Sequence, residues 1–177
     1  LAVPAAAAAP AKVVASFSVL ADMVREIGGD EVSVTSLVPP DGDAHTYEPR
    51  PSDLRAIQGA KLVVTNGLGL DAWMDRLIDS AAGGATRVVA SAEVSPRRMS
   101  EGGRQVVDPH AWQDPRNGVL YARAITEGLI RAAPDRAERI RGQGARYAAA
   151  IGETDAWIER TLAPVPPDKR KIITSHD

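Results

Sequence analysis

The chain has 177 residues, of which 44% are hydrophobic and 25% are charged, the composition of a soluble globular protein. Its formal net charge of −2 provides no basic field for nucleic acid, and aromatic residues, at 4%, are too scarce for a base-stacking surface. It contains no cysteine, which excludes disulfides, cysteine-based zinc sites and thiol chemistry.

The first predicted segment is a leader over residues 1–11, LAVPAAAAAPA, made of small apolar residues. It is too short to span a bilayer. It resembles the tail of a secretory signal peptide with an A-x-A-like cleavage site before Lys12, although the positively charged start is missing. The alternative is a disordered alanine and proline leader. We expect an exported, periplasmic protein.

From Lys12 onward, short apolar runs alternate with helical patterns. The runs are rich in β-branched residues, which suits buried parallel strands, and they cover residues 12–16, 32–38, 61–65, 87–90 and 171–174. Helices bounded by glycine or proline signals are predicted over residues 19–27, 52–58, 70–82 and 117–132. The alternation predicts an α/β fold, with residues 12–133 forming a doubly wound lobe around a mostly parallel sheet.

A long helix is predicted next, over residues 134–162, although Gly142 and Gly144 weaken the helical pattern. At about 1.5 Å per residue it would be roughly 40 Å long, about the width of a domain. We therefore interpret residues 134–163 as a helix that links two lobes. The break at residues 163–169 and the strand after it predict that residues 164–177 begin a second α/β lobe, which this chain contains only in part.

Three histidines, His45, His110 and His176, fall in predicted loops. Two of them follow strands and the third leads into a helix. Ligands of open α/β sheets bind outside the carboxyl ends of the strands, so the three side chains can converge on one metal ion. The spacing shows no H-x-x-x-H or H-E-x-x-H pattern, and each histidine alone is also compatible with an ordinary surface loop.

The neighbours of the histidines allow two interpretations. Asp43 and Asp108 precede His45 and His110 by two residues, and a carboxylate in such a position can orient an imidazole. Acids beside glycine and proline more often cap turns, which is the interpretation that we favour for most of these acids. The three tryptophans, residues 73, 112 and 157, are interpreted as packing residues, and the one beside His110 could report metal binding by fluorescence.

These residues carry a family resemblance. The motifs GDAHTYEPRPSDL, DPHAWQDPRNG and TSHD, together with VVASFSVLADMVREIGGDEV near the start, resemble solute-binding proteins of zinc and manganese ABC importers, from about Lys12 to the last residue. The resemblance implies two α/β lobes joined by a long rigid helix, with a metal in the cleft between them. It implies that His45, His110 and His176 are metal ligands, and that a fourth ligand, a carboxylate, lies in the second lobe beyond residue 177.

The expected ion is Zn²⁺, because three imidazoles and one carboxylate form a nitrogen-rich, four-coordinate set. Manganese members of the family often have a carboxylate at the third position, where this chain has His176. Zinc members often carry a histidine-rich acidic loop before the second motif. The corresponding loop here, residues 95–107, is short and has no histidine, so Mn²⁺ remains the alternative.

The resemblance implies a monomeric binding protein, not an enzyme, that captures a divalent metal ion outside the cytoplasm and delivers it to the permease of an ABC importer. Because neutral imidazoles bind metals, affinity is expected to fall as the pH drops through the ordinary histidine pKa of about 6.5. A zinc hydrolase with a three-histidine site is the alternative from another class, and Glu48 would be its only candidate base. The same fold binding a metal chelate is a third possibility.

Overall fold

The computed structural model describes residues 9–81 and 83–171, and four of its strands form one parallel sheet. These strands are β1 (Ala11–Phe17), β2 (Val32–Val38), β3 (Leu62–Thr65) and β4 (Thr86–Val89). Their order across the sheet is β2-β1-β3-β4. The four corresponding predicted strands are confirmed, and β1 begins one residue earlier than expected, inside the predicted leader. Except for its first residue, the fifth predicted strand, 171–174, lies outside the described residues.

Within the described residues, five α-helices accompany the strands: α1 (Ser18–Gly28), α2 (Pro51–Gln58), α3 (Trp73–Ser80), α4 (Pro115–Ala132) and α5 (Ala137–Leu162). Residues at their starts explain two of them. Pro51 opens α2, and the carboxylate of Asp53 accepts the backbone N–H of Arg50 at 2.7 Å. Asp114 caps α4 by accepting the backbone N–H of Arg116 at 3.0 Å.

The predicted start of the third helix at residue 70 is wrong, because α3 begins at Trp73. The chain before it turns through three consecutive residues with positive φ, Gly67, Leu68 and Gly69. Asp71, which would lie in the first turn of the predicted helix, instead accepts the backbone N–H groups of residues 66 and 67. This carboxylate therefore closes the loop after β3 and delays the helix.

The sheet is covered by helices on both faces, as a doubly wound fold requires. Along β1, alternate residues point to opposite faces. Val13 and Phe17 belong to the larger core, which contains residues of α1, α4 and α5, whereas Val14 belongs to a smaller core with residues of α2 and α3. The expected α/β fold around a mostly parallel sheet is confirmed.

The long helix α5 has 26 residues and a length of about 39 Å. It begins at Ala137, three residues later than predicted, because residues Pro134–Arg136 form a 3-10 turn. Gly142 and Gly144 do not interrupt it, and a side chain at Gly144 would collide with Thr126 of α4. The glycine thus lets the two helices approach closely. No helix among residues 9–81 and 83–171 is long and apolar enough to cross a membrane.

Residues 95–107, where no strand was predicted, contain a β-hairpin. Strands β5 (Arg98–Glu101) and β6 (Arg104–Val107) pair antiparallel, and Gly102 and Gly103 supply the positive φ values of the turn. The backbone N–H of Asp108 donates to the carbonyl of Arg97 at 2.9 Å, which continues the pairing. The hairpin leads directly to His110.

Candidate metal centre

His45 and His110 meet beyond the sheet. His45 lies in the loop between β2 and α2, and His110 lies between β6 and α4, 65 residues later. Their Nε2 atoms are 3.1 Å apart, and their ring centroids are 5.2 Å apart. The structure therefore brings together two of the three predicted histidines. His176 lies outside the described residues.

The backbone of the His45 loop is held by a turn and by a distant indole. Asp43 accepts the backbone N–H of His45 at 2.8 Å and the hydroxyl of Thr46 at 3.0 Å, so the predicted turn-capping role of Asp43 is confirmed. The indole N–H of Trp73 donates to the carbonyl of Ala44 at 3.1 Å. Trp73 is thus more than a packing residue, and its role depends on a contact across 29 positions that no local pattern reveals.

The far side of the same loop is attached to α2 through Tyr47. Its hydroxyl donates to the buried carboxylate of Asp53 at 2.9 Å, and its ring lies 4.9 Å from that of Trp73. Burial raises the pKa of Tyr47, and the hydrogen bond to Asp53 raises it further. The hydroxyl therefore stays protonated and can donate to Asp53. Both ends of the short segment around His45 are therefore fixed.

His110 is held at two atoms by one carboxylate. Asp108 accepts its backbone N–H at 3.0 Å and contacts its ring Nδ1 at 2.9 Å. With the proton on Nδ1 to serve Asp108, the lone pair of Nε2 points towards His45. Partial burial raises the pKa of Asp108, but the hydrogen bonds from His110 and the charge of Arg97 outweigh it, and the pKa lies below its usual value. The carboxylate that caps this turn therefore also orients the imidazole.

The two histidines line a cavity of about 460 Å³ whose other walls are largely apolar. Phe17, Leu70 and Trp112 contribute to these walls. The indole ring of Trp112 lies 4.9 Å from the ring of Phe17 and 5.3 Å from that of His110. Because His110 is only 8% exposed, its ring is positioned by packing as well as by hydrogen bonds.

The separation of the imidazoles fits two ligands of one metal ion. Two nitrogens that lie about 2.0–2.1 Å from a tetrahedral zinc ion are roughly 3.3 Å apart. Within residues 9–81 and 83–171, no group of three or more histidine, cysteine, aspartate or glutamate side chains could hold a metal. The described part of the chain therefore supplies two imidazole nitrogens, and Asp108 orients the ring of His110 that carries one of them.

Comparison with known families identifies the chain. Residues 13–177 match the family ZnuA, described as "Zinc-uptake complex component A periplasmic". The chain belongs to this family. The family is described as a periplasmic uptake component and not as an enzyme, so the hydrolase alternative finds no support. The location expected from the leader, outside the cytoplasm, is the location that the family's description gives.

Its relatives carry the names of different metals. The chain is 34% identical to the manganese-binding lipoprotein MntA of Halalkalibacterium halodurans, with 94% of this chain and 54% of that protein covered. It is 32% identical to the iron-binding protein YfeA of Yersinia pestis, with 93% and 53% covered. This chain therefore spans about half the length of these curated relatives.

Solved structures agree with this fold. A manganese-bound periplasmic metal-binding protein from Candidatus Liberibacter asiaticus superimposes with a TM-score of 0.82 at 26% identity, covering 90% of this chain and 60% of that chain. The cadmium-bound form of a periplasmic metal-binding protein from the same organism gives a TM-score of 0.82 at 27% identity and the same coverage. Metal binding is thus the property that the names share, and they do not single out zinc.

Proposed function

We propose that the protein captures a divalent metal ion outside the cytoplasm and delivers it to the permease of an ABC importer, acting as a monomer. The observation that carries the proposal is the 3.1 Å separation of the Nε2 atoms of His45 and His110. The imidazole of His110 is held from behind by Asp108, and the backbone around His45 is held by Asp43 and Trp73. Membership of a periplasmic uptake family supplies the transport role.

His45, His110 and His176 are the proposed metal ligands. In this arrangement residues 12–133 form the first lobe, α5 links it to the second, and residues 164–177 begin that second lobe. The fourth ligand would be a carboxylate outside this chain. Support comes from the close approach of the two imidazoles and from the length of α5, about 39 Å, which is enough to cross a lobe.

We propose Zn²⁺ as the preferred ion and Mn²⁺ as its competitor. Imidazole nitrogens in a four-coordinate set suit zinc, whereas manganese prefers more oxygen ligands. The names of relatives favour the competitor, since one is manganese-binding and one solved structure contains manganese. The ligand atoms therefore favour zinc and the names of relatives favour manganese, so the identity of the ion needs a direct measurement.

Isothermal titration of the full-length protein with Zn²⁺ and with Mn²⁺ tests the proposal. We expect saturable binding of one ion per molecule and loss of binding in His45→Ala and His110→Ala. Glu48→Gln is the matched control, because Glu48 is an exposed residue of the same loop and is not a proposed ligand. Absence of binding for both ions, or unchanged affinity in the histidine variants, would refute the proposal.

The hydrolase alternative is tested with the same zinc-loaded protein. The binding function predicts no turnover of an activated ester above that of free Zn²⁺. Turnover that Glu48→Gln abolishes would instead assign Glu48 as a general base and make the protein an enzyme.

A further inference from the structure

Behind His110, a buried polar network extends from the end of β3 to the loop before α4. Its centre is Asn66, the residue directly after β3, whose side chain is fully buried. Asp71, Ser91 and Tyr121 surround it and are also buried. A buried polar group that lacks a partner costs free energy, so such a network in a core persists where every member is satisfied.

Every polar group of Asn66 has a partner. Its backbone N–H donates to Asp71 at 2.6 Å, and its carbonyl accepts the hydroxyl of Ser91 at 2.6 Å. Its side-chain oxygen accepts the hydroxyl of Tyr121 at 2.7 Å. Its side-chain nitrogen donates to the carbonyls of Gly67 at 2.9 Å and Pro109 at 3.0 Å. Because two carbonyls face this nitrogen, the orientation of the amide is determined by its surroundings.

The bond to Pro109 reaches the peptide group that joins Pro109 to His110. The carbonyl of this planar group accepts from Asn66, and its N–H donates to Asp108. A plane held at both of its polar edges cannot rotate without breaking one bond. Asp108 also binds the ring Nδ1 of His110, so backbone and ring are fixed together.

We propose that Asn66 is a positioning residue for metal capture, which holds the peptide group before His110 to the carboxyl end of β3 and so keeps Nε2 of His110 facing His45. This inference rests on the proposed function, because it takes His110 as a metal ligand. Asn66 acts on His110 through Pro109, whose carbonyl accepts the side-chain N–H of Asn66. The parallel sheet then determines the position of His110, because Asn66 directly follows strand β3.

The test compares Asn66→Asp with Thr65→Val in the full-length protein. The aspartate has the same shape but places a carboxylate oxygen against the carbonyl of Pro109, which breaks the bond and repels that carbonyl. Thr65 is the matched control, because it is the buried neighbour in β3 and its hydroxyl donates to Val88 at 3.3 Å, away from the histidines. Asn66→Asp loses the two hydrogen bonds that the side-chain nitrogen donates, and Thr65→Val loses one buried hydrogen bond.

Two readouts are measured. In metal-free protein, the ¹⁵N–¹H signals of the His110 ring, assigned with His110→Gln, report the protonation and surroundings of Nδ1 and Nε2. We expect them to move in Asn66→Asp and to stay in place in Thr65→Val. Affinity for Zn²⁺ and Mn²⁺ should fall about 10- to 100-fold in Asn66→Asp, the usual loss for a residue that orients a ligand, and by less than about threefold in Thr65→Val.

Ring signals that do not move, or an affinity equal to that of Thr65→Val, would overturn the proposal. If Asn66→Asp does not fold, the double variant Asn66→Ala with Tyr121→Phe replaces it, since it removes the amide together with the hydroxyl that the amide satisfies. If the unaltered protein binds neither ion, the proposed function fails, while the ring signals of metal-free protein still decide whether Asn66 positions His110.

Discussion

Gly144 of α5 lies so close to Thr126 of α4 that no side chain fits between them. A β-carbon at Gly144 would lie 3.0 Å from the β-carbon of Thr126 and closer still to its hydroxyl oxygen. The hydroxyl is itself bound to the carbonyl of Ala122 at 2.6 Å, and a β-branched side chain has few alternative rotamers. The contact between these helices therefore depends on a glycine at this position.

We predict that Gly144→Ala destabilises the protein, whereas Gly152→Ala stabilises it. Overpacking at Gly144 should cost about 1–3 kcal/mol, more than the roughly 0.5–1 kcal/mol that alanine contributes to a helix. At Gly152, in the same helix, no atom of the described residues beyond the adjacent helix backbone lies within 4 Å of an added β-carbon, so only the helical gain of about 0.5–1 kcal/mol remains. Urea unfolding measures both. Shifts of the same sign would contradict the close packing.

Removal of the Asp108 carboxylate should weaken metal binding more than it weakens the fold. Asp108→Ala frees both the backbone N–H and the Nδ1 of His110, and we expect an affinity loss of about 10- to 100-fold. Titration with Zn²⁺ and Mn²⁺ measures the loss. Asp79→Ala, an exposed change on α3, is the control and should bind like the unaltered protein. Equal affinities in the two variants would show that the carboxylate does not orient His110.

The cap of α4 predicts a pH-dependent stability. Asp114 accepts the backbone N–H of Arg116, and Asp114→Ala should cost about 1 kcal/mol at neutral pH. The hydrogen bonds from the guanidinium of Arg116 lower the pKa of Asp114 in the folded state. Its stabilisation is therefore complete above the unfolded pKa of about 3.9 and is lost as the pH falls through the lower folded pKa.

Urea unfolding between pH 7 and pH 2 checks this expectation. The difference in stability between the unaltered protein and Asp114→Ala should shrink towards the acid end of the range. Asp114→Asn, which keeps a capping oxygen but no charge, should retain most of the stability at neutral pH. A difference that grows on acidification would show that the sign of the pKa shift is wrong.

Trp112 should report the metal. Its ring lies 5.3 Å from that of His110, so a cation bound to His110 would change the surroundings of the indole. We expect Zn²⁺ or Mn²⁺ to alter the tryptophan emission of the unaltered protein. Trp157→Phe should respond in the same way, because Trp157 is 59% exposed on α5. This exposure is contrary to the packing role predicted for Trp157. Trp112→Phe should lose the response. A change in emission that persists in Trp112→Phe would show that another tryptophan responds to the metal.

Local pattern was enough to predict the sheet, whereas the pairing of the two histidines was expected from the family resemblance. Apolar runs such as LVVT at β3 carry the signature of buried parallel strands within a few residues. The rule that ligands bind outside the carboxyl ends of such strands allowed His45 and His110 to converge, and the family resemblance made them the expected ligands. The same reasoning included His176, which remains a prediction because it lies outside the described residues.

Local pattern missed the hairpin and the start of α3 for physical reasons. The strands RMSE and RQVV of the hairpin carry little apolar pattern, so their pairing depends on the glycine turn and on each other. The predicted start of α3 was too early because Asp71, a residue type that is common in the first turn of a helix, accepts the backbone N–H of Asn66 instead. In both cases a hydrogen-bonded partner a few residues along the chain, and not the apolar pattern, determined the structure.

The sequence by itself determined which segments form strands and helices and which residue types could hold a metal, because those properties depend on neighbours a few positions away. Only the tertiary structure decided how the backbone before each of the two histidines is anchored. The bond of Trp73 to Ala44 and that of Asn66 to Pro109 join residues 29 and 43 positions apart. Such bonds form only after the strands and helices have packed, so the orientation of His45 and His110 is a property of the fold.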